Sequence, residues 1–340
     1  MCALLLSKKA DVNAKTHDQG YSALMFAAIS NHQKTVTLLL EHGADVDYTN
    51  MIGRTASQMA SFVNSNECVE LINNFLSKSS LEYYTEIRSI NETEPKLPKG
   101  ECVDELHKLL VSTSDYSPVR ALKSIKFSKN NVLVQNMNHI INTLDAFITK
   151  SFKTENVECP NDILAFKLHY HKYLFEFLNK TIKNYEKKFP DEEKISLISK
   201  SFEFCFKQLL LKEELPDKKI FFQLFQEKFL RELIRSFPYK ESSLIQQMVT
   251  ILSRTQMGVH PSALYVITSC LNGQRFNQNF ETKDSVSKKL VLECETCKKK
   301  SDEAKWCTHC KKVAYCDQFC QKLDWPWHKK QIFKDDEKKQ

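Results

Sequence analysis

The chain has 340 residues, 42% of them hydrophobic and 27% charged, with a formal net charge of +7. This is the composition of a globular protein of two or three domains. No apolar run approaches the roughly 20 residues that a membrane-spanning helix needs, and no charged-then-apolar segment opens the chain, so a cytoplasmic protein without membrane insertion is expected. Glycine is scarce, at six residues, and no G-x-G-x-x-G or G-x4-G-K-[ST] pattern occurs. Clustered glycines let backbone N–H groups close on phosphates, so nucleotide-dependent catalysis is not expected.

The first segment repeats itself. Ala10-Asp11-Val12-Asn13 returns as Ala44-Asp45-Val46-Asp47, and Gly20-Tyr21-Ser22-Ala23-Leu24 is echoed by Gly53-Arg54-Thr55-Ala56-Ser57. A period near 33 residues marks stacked helical units that cannot bury their apolar faces alone. Leu38-Leu39-Leu40 belongs to such a helix, and Gly43 after it supplies a left-handed cap. Gly20 and Gly53 stand where tight turns need positive φ. The pattern resembles ankyrin repeats at Gly20, Leu24, Ala27, Ala28, His32, Leu38, Leu39, Gly43, Ala44, Asp45 and Val46. Ala23 replaces the usual proline, Lys9 replaces a glycine, and Ser57 and Gln58 stand where leucine and histidine are common. Residue 1 falls inside a repeat with no polar cap before Leu4, so the natural chain is expected to begin upstream. The repeats are assigned to residues 1–76 and expected to bind protein.

Residues 77–100 are polar, with two prolines, and read as a linker. The following α-helical region, 101–280, is expected to be mainly packing core. In it Phe221, Leu224, Phe225, Phe229, Leu233 and Phe237 recur at helical spacing, and the stretches 163–182 and 243–254 behave alike. Pro190-Asp191 and Pro216-Asp217 read as stop–start signals between helices. His169 and His171, two apart on a helix, point in different directions and are not expected to share a metal. Pro261 with Ser262 suits a helix start, and His260 beside it is not expected to carry chemistry.

The twelve cysteines fall into two sets. Cys2, Cys68, Cys102, Cys159, Cys205 and Cys270 are scattered and expected as buried, reduced thiols. Cys294, Cys297, Cys307, Cys310, Cys316 and Cys320 crowd into 27 residues as C-x2-C, C-x2-C and C-x3-C, with His328 following. Such pairs in an intracellular chain indicate zinc rather than disulfides. Seven ligands are one short of two tetrahedral sites. From Lys288 onward there are fourteen lysines, nine acids and no arginine. Base reading relies on bidentate arginine, so nucleic acid is not an expected partner.

With Tyr315, Gln321 and Trp325, these cysteines and His328 resemble the MYND zinc finger, assigned here to residues 294–332 with a charged tail at 333–340. The resemblance implies cross-braced sites: Cys294, Cys297, Cys316 and Cys320 on one zinc; Cys307, Cys310 and His328 on the other, with Ile332 where the family has its last cysteine. Water, His309, or a carboxylate from Asp335 or Asp336 is expected to fill that place, His309 more naturally facing solvent. A short helix over 321–327 is expected on the second site. Trp325 is either core or, with Gln321, the floor of a groove for proline-containing peptides.

The order of parts resembles the ankyrin repeat and MYND domain-containing proteins. That resemblance implies a mostly α fold of ankyrin solenoid, helical middle and small finger. It also implies a non-enzymatic adaptor that binds proteins and takes part in trafficking of signalling proteins to the cilium. The alternative is a nuclear MYND-type transcriptional corepressor. MYND-associated methyltransferases and prolyl hydroxylases need strand-rich, glycine-bearing catalytic domains, which this composition does not suit.

Overall fold

The computed structural model describes residues 1–85, 97–112, 116–152, 161–215, 220–272 and 292–337. The first part is a stack of helices α1 (Cys2–Ser7), α2 (Ala23–Ile29), α3 (Gln33–Glu41), α4 (Ala56–Phe62) and α5 (Asn66–Asn74). Leu24, Met25, Ala28, Val36, Leu39, Leu40, Ala60 and Val69 close its core. Ser22 caps α2, accepting from the Met25 amide. Gln58, irregular as sequence, has a structural reason: with Thr55 it forms a capping box at the start of α4. Gly43 takes the expected left-handed conformation, φ 84°, and Lys9, its equivalent one repeat earlier, keeps it at φ 62° without a glycine. Helix α1 buries none of its residues, leaving Leu4 and Leu5 63% and 53% exposed.

The expected linker departs from a free connector. Its first turns form α6 (Lys78–Glu82) and a 3-10 turn, Tyr83–Thr85. Leu81, Tyr84 and Leu97 are buried in the core that follows. A segment polar on average still presents one apolar face, and average polarity hides it.

The middle is helical: α7 (Glu101–Ser112), α8 (Pro118–Lys126), α9 (Val132–Gln135), α10 (Met137–Phe152), α11 (Asp162–Lys188), α12 (Lys194–Leu210), α13 (Leu224–Ser236), α14 (Ser243–Ser253) and α15 (Ala263–Leu271). The stop at Pro190 falls between α11 and α12, and Ser262 caps α15 as its side chain accepts from the Tyr265 amide. Pro216 and Asp217 lie outside the described residues. One correction concerns Phe221. It does not extend the helix of Phe229 and Leu233 but lies in β2 (Ile220–Phe222), which pairs antiparallel with β1 (Glu213–Leu215). Two adjacent apolar residues satisfy a strand as readily as a helix start, so periodicity placed the helix too early.

A buried pair ties three helices together. Glu227 accepts from Arg231 Nε at 2.7 Å and from the Ala263 amide through both carboxylate oxygens. Arg231 also donates to the carbonyls of Leu252 and Thr255, both at 3.1 Å. The pair thus caps the end of α14 and the start of α15 from α13.

The repeat stack is joined to this body by polar groups at the end of α5. Asn73 donates to the Leu271 carbonyl at 2.8 Å. Asn74 accepts from Tyr116 Oη at 2.9 Å on its side-chain oxygen and from Lys167 Nζ at 3.0 Å on its carbonyl. Lys167 is 1% exposed. Burial pushes its ammonium down from 10.5 to about 7.

Of the scattered cysteines, Cys68, Cys102, Cys205 and Cys270 are buried, and burial pushes the thiols of Cys205 and Cys270 up to about 12. Cys2 is exposed, contrary to expectation, because α1 has no layer over it. Cys159 lies outside the described residues. His169 and His171 diverge as expected. His169 Nε2 lies 3.1 Å from the Leu233 carbonyl, and His171 Nδ1 lies 2.8 Å from the Lys167 carbonyl of its own helix.

Candidate metal centre

The finger is built from two short antiparallel ladders, β3 (Leu292–Glu293) with β4 (Lys300–Ser301) and β5 (Lys305–Trp306) with β6 (Ala314–Tyr315), followed by α16 (Gln318–Glu337). Helix α16 runs well beyond the expected 321–327 and through much of the expected charged tail. Each C-x2-C pair is a tight turn. The Lys298 amide donates to the Cys294 carbonyl at 2.8 Å, and the Lys311 amide to the Cys307 carbonyl at 2.9 Å. Lys298 and Lys311, each directly after its second cysteine, take left-handed φ of 58° and 53°. That reversal aims both thiols of a pair at one point.

Four sulfurs converge from Cys294, Cys297, Cys316 and Cys320, all within 4.8 Å of one another. The Cys297–Cys316 and Cys316–Cys320 Sγ separations are 3.6 and 3.5 Å. Sulfurs about 2.3 Å from a tetrahedral zinc stand roughly 3.8 Å apart, so the set fits the ion. The third pair is delivered by the start of α16, where Asp317 accepts from the Cys320 amide at 2.9 Å.

The second group is Cys307, Cys310 and His328. His328 Nε2 lies 3.3 Å from Cys307 Sγ and 3.2 Å from Cys310 Sγ, near the roughly 3.6 Å of two ligands sharing a zinc. Among the described residues no fourth donor joins them. His309 is exposed and outside the group. The side chains of Ile332, Asp335 and Asp336 lie outside the described residues.

Around the sites Thr296 Oγ1 donates to the Cys320 carbonyl at 2.8 Å, and Tyr315 Oη donates to Asp324 Oδ2 at 2.7 Å. The finger sits on the helical body. Phe319 packs edge-on against Phe127, just past α8, at 5.1 Å and against Phe206 of α12 at 5.5 Å. Lys212 pairs with Glu295 at 3.2 Å. These seating residues carry no local sequence signal, because their partners lie far along the chain.

Comparison with known families agrees with this layout. Residues 1–79 match the family model of ankyrin repeats (three copies), and residues 294–331 match that of the MYND finger. A Caenorhabditis elegans protein, Dauer abnormal formation protein 25, is 30% identical over 325 residues, which cover 95% of this chain and 75% of that protein. The chain belongs to the ankyrin-repeat and MYND-finger family. No solved structure matches it.

In this ankyrin and MYND protein the two metal groups are cross-braced, the first pair meeting the third and the second pair meeting His328. Zinc would be held in the first group by four thiolates and in the second by two thiolates and an imidazole; an ion so bound would couple the finger's folding to the metal. Trp325 is 40% exposed, its ring 6.1 Å from that of His328, and Gln321 is half-buried. Trp325 is therefore not a core residue. No helix among the described residues is long and apolar enough to cross a membrane.

Proposed function

We propose that this protein is a non-enzymatic, zinc-dependent adaptor that holds two protein-binding surfaces on one helical body. The observation that carries this reading is the way both interaction modules are anchored. The ankyrin stack is hydrogen-bonded to the body through Asn73 and Asn74, and the finger shares the body's hydrophobic core through Phe319 and the buried cysteines. Surfaces on the two modules are thus presented in a fixed relation, which suits bridging better than independent capture. The body's perturbed groups serve packing: Lys167, His169, His171 and the buried thiols are enclosed by core.

Trp325 and Gln321 form the proposed contact for an extended, proline-containing peptide, which an aromatic surface receives at low entropic cost. Family resemblance supports the finer reading, trafficking of signalling proteins to the cilium. The test pairs binding with location. An array of proline-containing peptides is probed with the full-length protein and with Trp325→Ala, and both tagged forms are imaged in ciliated cells. Selective peptide binding lost in Trp325→Ala, with wild-type protein at the cilium, supports the reading. Substrate turnover abolished by a substitution in the helical body would overturn it.

A further inference from the structure

A charged side chain of the helical body reaches the first metal group. Lys123, in the last turn of α8, places Nζ 3.3 Å from Cys320 Sγ and 3.7 Å from Cys316 Sγ, across 197 and 193 residues of chain. It also forms an ion pair with Asp317, the residue that caps the third cysteine pair. Its side chain is only 19% exposed. The surrounding contacts are made by the same turn: Lys126 lies over the Phe319 ring at 5.4 Å, and Phe127 meets that ring edge-on.

Four thiolates around a divalent zinc leave a net anionic cluster, and three of these four cysteines are buried. Buried charge needs a counter-charge and donors to the outward lone pairs of its ligands. An ammonium donating N–H to two of the sulfurs supplies both. A neutral donor would give the hydrogen bonds without the charge, and a distant surface lysine would give a screened charge without the bonds.

We infer that Lys123 is the outer partner of the first zinc, so that filling this site and seating the finger on the helical body are one coupled equilibrium. The coupling is reciprocal by linkage. Whatever Lys123 adds to zinc retention when the finger is seated, bound zinc adds to the seating. Removing the metal removes the fixed thiolate charge that, with Asp317, holds the ammonium, and the Phe319 ring contacts and the Lys123–Asp317 and Lys212–Asp324 ion pairs are then left to keep α16 against the body. The second group provides an internal control, because both of Lys123's sulfur contacts belong to the first.

The test uses the full-length protein loaded with zinc. A chromogenic chelator is added and release is followed in time, the two phases being assigned with Cys307→Ser, which leaves the first site as the source. Lys123→Met, of similar length but uncharged, is expected to quicken first-site release by about 10- to 100-fold while the second phase stays within about twofold. Lys123→Arg, which keeps the charge, is expected to restore most of the difference. Amide exchange over residues 118–127 is read alongside. It should quicken in loaded Lys123→Met and, to a similar extent, in wild-type protein stripped of metal. Unchanged release in Lys123→Met, equal acceleration of both phases, or exchange over 118–127 that ignores metal stripping would each overturn the inference.

Discussion

Replacing Lys167 with Met should change how stability depends on pH, and the structure sets both sign and size. Lys167 Nζ is enclosed at the joint between α5 and α11, donating to the Asn74 carbonyl at 3.0 Å and to its side-chain oxygen at 3.4 Å. The groups facing it are neutral. Tyr116 is a donor to Asn74, and His171, one turn along α11, is held down at about 3 by burial. Burial lowers the Lys167 pKa from 10.5 to about 7. Between these values the unfolded chain binds a proton that the folded protein does not, so stability rises with pH across the window and is lost again as pH falls toward 7. One unit of pKa corresponds to about 1.4 kcal/mol, and folded Lys167 is still half-protonated at pH 7; from pH 7 to 9 the gain is therefore about 2 kcal/mol. The variant lacks this term but leaves an Asn74 carbonyl without its donor, a pH-independent loss of about 1–3 kcal/mol. Urea unfolding of both proteins at pH 7, 8 and 9, followed by circular dichroism, gives the difference in stability, in which other titrations cancel. A wild-type advantage that grows by about 2 kcal/mol is expected. A flat difference would refute the reasoning, because Lys167 would then share its ordinary pKa in both states.

Removing Glu227 as Ala should destabilise the protein by about 3–5 kcal/mol in denaturant unfolding, because Arg231 would be buried without its partner and the Ala263 amide would lose its acceptor. Native mass spectrometry should find Cys294→Ser without the first zinc and with an unfolded finger, whereas Cys307→Ser should keep one zinc. Ile332→Cys should tighten the second zinc in a chelator competition, since it offers the thiolate that family members place there. Lys9→Gly should raise the melting temperature of the repeat stack, relieving a left-handed lysine worth about 1–2 kcal/mol.

The repeat stack was legible because one residue pattern recurs at a fixed period and each recurrence has a local cause, a cap or a turn. The metal donors were legible because C-x2-C spacing is itself a geometry. Their cross-bracing came from family likeness, since spacing alone cannot say which pair meets which. What escaped was non-local. Nothing near Lys123, Lys212 or Phe319 in the sequence names partners many residues away. The β1–β2 hairpin was hidden because Ile220, Phe221 and Phe222 fit a helical stripe as well as a strand. The helix after Ser77 was hidden by its polar average, although Leu81 in it and Tyr84 just after it reach the core. Gln58 read as a worn repeat position, and only the capping box explains it.

The shared core has a practical consequence for dissecting this protein. Cys294, Cys297, Cys307, Tyr315 and Cys320 belong to the same apolar cluster as Leu210, Phe206 and Leu122 of the helical body. A chain cut before Leu292 would therefore uncover an aromatic surface around Phe127 and Phe206 and leave Lys123 and Lys212 without their acidic partners. Such a truncation would tend to self-associate. Its failure to bind a partner could then not be assigned to the missing finger, whereas point changes at exposed Trp325, the proposed peptide contact, leave the seam closed.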